Sequence, residues 1–110
     1  MSVYADITIE RGATFQAEIL VEDPENNTVD ITNVDFIAVV KNYYNSSVSS
    51  AFTVTKTKPT LGIFEIEMDY TTTLALSNGN HVWDILALHP DGSRERLIEG
   101  QALVTPPVSP

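Results

Sequence analysis

Apolar and polar residues alternate along most of this chain, the period of two that marks strands with one buried face. Ile7 and Ile9 alternate with Asp6, Thr8 and Glu10, and Gly12 ends that run. Phe15, Ala17, Ile19 and Val21 then alternate with Gln16, Glu18, Leu20 and Glu22, which predicts a strand with one face to the core and one largely to water. Asp23-Pro24-Glu25-Asn26-Asn27 is turn chemistry. Val34, Phe36, Ala38 and Val40 form the next inward face. The opposite face, Asp35, Ile37, Val39 and Lys41, has two β-branched apolar residues at its middle. A strand apolar on both faces is either central and covered or part of an interface.

Residues 42–50 are polar with two tyrosines, Tyr43 and Tyr44, and predict a long loop or a wide hairpin connection. Phe52 and Val54 mark another strand. Phe64, Ile66 and Met68 alternate with Glu65, Glu67 and Asp69. Alternation stops over residues 70–76, where Asp69 is placed to cap a short helical turn and Asn78-Gly79 to stop it. His81, Trp83, Ile85 and Ala87 point one way, and Val82, Asp84, Leu86 and Leu88 the other. Pro90-Asp91-Gly92-Ser93 predicts a hairpin turn. Residues 97–104 form the last strand, with Gly100 as a candidate bulge. The expected fold is all-β: an immunoglobulin-like antiparallel β-sandwich of about seven strands with one short helical turn. The sandwich takes residues 1–105, and residues 106–110 form a Pro-rich extended tail.

Composition narrows the function classes. A chain of 110 residues makes one domain. It has no Cys, which removes disulfides, thiol nucleophiles and thiolate metal sites and favours synthesis in the cytoplasm. The first residues lack the basic start and apolar run of a signal peptide, and no window has the length of a membrane span. Acidic residues number 15 against 6 basic, a net charge of -9. Nucleic acid and anionic membranes are thereby disfavoured as partners, and a basic protein surface is favoured.

No reactive constellation stands out. His81 and His89 lie eight residues apart, roughly 26 Å along a strand, too far to share a metal. Asp23, Glu25 and Asn27 lack the Gly and the distant bidentate Glu of a calcium loop, so a solvated acidic turn is expected. Glu65, Glu67 and Asp69 form an acidic stripe that fits a row of exposed charges guarding a strand. Asp84 interrupts an apolar pattern and calls for a donor, with Arg94 and Arg96 as candidates. No catalytic residue, metal or cofactor is expected, and the protein is not read as an enzyme. Ile37, Val39, Leu86 and Leu88 are apolar where alternation predicts polar residues, and they are the candidate protein interface. Tyr43 and Tyr44 sit in an Asn/Ser-rich stretch with the composition of adaptable binding loops, and form a candidate ligand loop.

Several runs together suggest a family. They are Gly12-Ala13-Thr14-Phe15, Val29-Asp30-Ile31-Thr32-Asn33-Val34, Gly62-Ile63-Phe64-Glu65-Ile66-Glu67-Met68 and Gly79-Asn80-His81-Val82-Trp83-Asp84-Ile85. Pro90-Asp91-Gly92 and Ile98-Glu99-Gly100-Gln101-Ala102-Leu103-Val104-Thr105-Pro106 complete the pattern. Over residues 7–106 the chain resembles the small immunoglobulin-like domains of tailed-bacteriophage virion proteins, such as the N-terminal domain of baseplate upper proteins. It departs from that pattern at Asn33, where Gly is usual, and at His81, where an aromatic is usual. Asn tolerates the positive φ that Gly would supply. The resemblance implies a non-enzymatic structural component of a virion, made in the host cytoplasm and placed in a tail or baseplate. It implies homo-oligomers and contacts with other virion proteins. Two other functions fit the same residues: a bacterial immunoglobulin-like adhesion or carbohydrate-binding module, in which Tyr43, Tyr44 and Trp83 would stack on sugar, and a phage head decoration or head-fibre protein.

Overall fold

The computed structural model describes residues 3–43 and 49–108. Two β-sheets pack face to face. One sheet holds β1 (Val3–Tyr4), β2 (Ile7–Glu10), β4 (Asp35–Lys41), β5 (Ser49–Ala51), β8 (Gly79–Leu88) and β9 (Arg94–Thr105). Its order is β1-β9-β8-β4-β5, with β2 continuing β1 along the same side of β9. The second sheet has the order β3-β7-β6, from Phe15–Leu20, Ile63–Met68 and Thr53–Lys58. The all-β sandwich expected from the alternation is thus what the chain forms. It differs from the expectation in having nine strands among the described residues, with β1 and β5 added, and in that β1 and β2 run parallel to β9.

The predicted inward faces make the core. Ala38, Val40, Trp83, Ile85 and Ala87 from the larger sheet meet Phe64, Ile66 and Met68 from the smaller. Phe36 stacks on Phe64 with ring centroids 4.1 Å apart, and Phe52 meets the edge of Trp83 at 6.4 Å. Phe52 is also where the chain changes sheets. Its N–H donates to the Ala38 carbonyl at 2.9 Å, and β6 then departs into the other layer.

A single kink fixes the N-terminal strand. Between β1 and β2 the backbone dips over Gly100, where a Cβ would lie 1.8 Å from the Ala5 carbonyl oxygen. That oxygen accepts the Trp83 indole N–H at 2.9 Å, and the Asp6 carboxylate accepts the Gln101 N–H at 2.9 Å. Gly100 is therefore not the bulge that the sequence suggested. It pairs regularly with Trp83, and its lack of a side chain permits the close approach of Ala5. The irregularity in β9 falls instead at Leu97, between the pairs Ile85–Ile98 and Leu86–Arg96.

The loops follow short-range polar chemistry. Asp69 caps α1 (Tyr70–Leu74) as predicted, accepting the Thr72 N–H at 2.8 Å. The helix ends at Ala75, short of the Asn78-Gly79 stop. The left-handed position expected at Asn33 falls at Asn26 (φ 65°), within a turn closed by the Asp23 carboxylate. Gly62 (φ 73°) ends the 3-10 turn Pro59–Leu61 where a side chain would strike the carbonyls of Val21 and Val29. The long connection from β3 to β4 is pinned there and by Lys56, whose ammonium donates to the carbonyls of Thr32 and Val34 at 2.9 and 3.0 Å.

Substituting Gly100 by Ala should force Ala5 away from β9 and leave the Trp83 indole N–H without its acceptor. We expect a loss of about 1–3 kcal/mol or more in urea unfolding. The amides of residues 3–10 should lose protection from hydrogen exchange. Unchanged protection in that segment would show that the kink does not hold the strand.

Candidate functional site

The candidate interface residues converge. In the β4–β8 ladder Ile37 lies opposite Leu86, Asp35 opposite Leu88, Val39 opposite Asp84 and Lys41 opposite Val82. Because Ala38, Val40, Ile85 and Ala87 face the core, Ile37, Val39, Leu86 and Leu88 all emerge on the outer face. No second layer covers that face within the described residues. Ile37 is 43% exposed, and its three companions are half-buried by their sheet neighbours.

A charged network borders this apolar strip on β9. Arg96 bonds Asp84 at 3.3 Å and Glu99 at 3.2 Å. The donor that Asp84 called for is thus Arg96. A shallow depression of about 210 Å³ lies beside this network, lined by Val39, Lys41, Val82, Asp84, Arg96 and Glu99. Apolar side chains at the centre with partly hydrated ion pairs at the margin are the anatomy of a protein–protein contact. These pairs are more than a quarter exposed, so they stabilise the fold little.

The other candidates are placed apart from this face or from one another. Tyr43 is exposed just beyond β4, while Tyr44 lies outside the described residues. Trp83 is 4% exposed with its indole N–H bonded inside the fold, so it presents no stacking surface for a sugar. His81 is buried and its Nε2 lies 2.7 Å from the Ser77 carbonyl, which assigns the proton to Nε2. Its imidazole ties the turn after α1 to β8 in the place where an aromatic was expected. Among the described residues, no three His, Asp or Glu side chains converge as a metal site. The Asp23 carboxylate is taken up by the backbone N–H groups of Glu25 and Asn27.

A cleft of about 430 Å³ opens at one end of the sandwich, which alternation alone did not reveal. Val3, Val21, Val29, Ile31, Phe36 and Leu97 line it, and His89 and Glu95 stand on its rim. The side chains belong to five separate segments, so only the packing of the sheets brings them together. His89 Nε2 lies 3.3 Å from Glu95 Oε1, and this hydrogen bond holds the Glu95 carboxyl below the usual glutamate range.

The Glu95 shift fixes a pH dependence. A carboxyl whose folded value is lowered adds stability above its unfolded value and loses it as pH falls through the folded value. Asp30, Asp69 and Asp91 are lowered too, each chiefly by a hydrogen bond from a side chain two or three residues onward. The melting temperature should therefore fall as pH drops below about 4. Replacing His89 by Ala should move the Glu95 midpoint, followed by carboxyl carbon NMR, up towards the unperturbed 4.5. An unmoved midpoint would show that His89 does not hold the carboxylate.

No family model and no curated protein matches the chain. Among solved structures it is similar to a Listeria monocytogenes internalin-like protein, with a TM-score of 0.46 and 13% identity. The match covers 96% of this chain and 28% of that one, so this chain spans less than a third of that protein's length.

Proposed function

We propose that this protein is a non-enzymatic building block that acts by protein–protein assembly, as a structural component of a bacteriophage tail or baseplate. The observation that carries the assembly reading is the outer face of the larger sheet. There Ile37, Val39, Leu86 and Leu88 form one apolar strip beside the Arg96 network. The virion assignment rests on the run of strand and turn residues that resembles phage immunoglobulin-like domains. A face of this kind, repeated around a rotation axis, joins identical copies into a closed ring. The rigid, two-layered core suits that role, because an assembly module must keep its docking face in one geometry.

Light scattering across a concentration series tests the reading. A defined trimer or hexamer is expected. Ile37→Lys and Val39→Lys should each weaken association about tenfold or more, the effect of a central interface residue. At the exposed Ile37 the substitution should change monomer stability by no more than about 0.5 kcal/mol. A strict monomer at high concentration, or association indifferent to both substitutions, would overturn self-assembly through this face.

A further inference from the structure

The sheet edges of this molecule are not treated alike. An unpaired edge strand is a template for another chain, and folded proteins blunt it with bulges, inward lysines, prolines or shortness. The β1/β2 side of the larger sheet is broken at Ala5–Asp6, where the Asp6 carboxylate takes the Gln101 N–H. Its other edge, β5, is three residues long. In the smaller sheet, β6 is shifted in register between Thr55 and Lys58 and followed by Pro59. Its Lys56 turns inward to the carbonyls of Thr32 and Val34.

β3 has none of these devices. Phe15 to Leu20 pair with β7 residue by residue, from Phe15–Met68 to Leu20–Ile63, with no shift. The segment has no Pro, Lys or Gly. Among the described residues, no backbone hydrogen bond joins it to anything but β7. An edge strand turns every second N–H and C=O away from its neighbour, so a row of donors and acceptors is left open. The inward side chains Phe15, Ala17 and Ile19 are only half-buried, whereas their counterparts Phe64, Ile66 and Met68 on β7 are buried.

Charge states what belongs there. On the outer face Glu18 stands directly opposite Glu65, and Gln16 opposite Glu67. Opposed carboxylates repel. Glu67 receives the Gln16 amide at 3.0 Å, while Glu18 and Glu65 have no partner among the described residues. A second copy pairing through β3 would bring more carboxylates to this edge. A strand with Lys or Arg on its outer face would neutralise Glu18 and Glu65. Apolar residues on its inner face would complete the burial of Phe15, Ala17 and Ile19.

We propose that the β3 edge is a strand-addition site for an extended segment of another protein that alternates basic and apolar residues. The added strand becomes the fourth of the smaller sheet, held by backbone hydrogen bonds and selected by Glu18 and Glu65. The site lies on a different sheet from the Ile37 strip, so it stands or falls separately from self-assembly there.

The test uses the full chain and a capped seven-residue peptide, Lys-Val-Lys-Val-Lys-Val-Lys, followed by amide NMR and hydrogen exchange. Saturable binding is expected, with new protection of amides in residues 15–20 and none in β6. Methylating alternate peptide nitrogens should abolish binding, because it removes the ladder donors. Glu18→Lys with Glu65→Lys should weaken binding at least about tenfold and transfer the preference to the Glu-Val analogue. Three results would overturn the proposal: no saturable binding at millimolar peptide, protection that appears away from β3, or binding indifferent to backbone methylation. The methylated peptide decides the matter even if the double variant fails to fold.

Discussion

The Ala5 carbonyl oxygen, seated over Gly100 and bonded to the Trp83 indole, is the contact on which the arrangement of edges depends. It commits the N-terminal strand to the larger sheet along its whole length, first as β1 and then as β2. It also saturates the one polar atom that the core tryptophan brings inside, where an unmet N–H would be costly. Because the strand is committed there, it is absent from the smaller sheet, and β3 is left as that sheet's open margin. A hydrogen bond between residues 78 apart in sequence thus reinforces the β1/β2 ladder on β9, while β3 keeps one side open.

The two outer faces carry opposite chemistry. The larger sheet shows an apolar strip with cations and carboxylates paired through Arg96. The smaller shows carboxylates set against one another. Glu18, Glu65 and Glu67 thus concentrate negative charge on the outer face of the smaller sheet. The sandwich is polarised, with one face suited to a close, partly dry contact and the other to a cationic partner.

Strand positions and inward faces were legible in the sequence because alternation and burial are both local properties. His81, Trp83, Ile85 and Ala87 point inward as the pattern required, and Asp69 caps α1. The outer-face apolar strip of Ile37, Val39, Leu86 and Leu88 was legible for the same reason, since an apolar residue in a polar register is visible without any neighbour. What remained hidden was long-range. Gly100 is needed by Ala5, on a strand from the other end of the chain, and no local rule distinguishes that need from a bulge. The Leu97 irregularity, the parallel pairing of β2 with β9 and the end cleft likewise arise only when distant segments meet. The positive φ went to Asn26 because a turn closed by Asp23 needed it, while Asn33 lies in a bend that Ile31 and Val34 close without one.

The parallel ladder of β1 and β2 on β9 has a mechanical meaning. The chain enters the sandwich beside Ile98 and leaves it beyond Thr105, at the far end of the same ladder. Tension applied through the flanking segments pulls these strands past one another along their length. The ladder's hydrogen bonds then bear the load together, in shear, and are not unzipped one at a time. A ladder loaded in this way resists tension between the two ends of the sandwich, with the Ala5 kink over Gly100 acting as a catch against sliding.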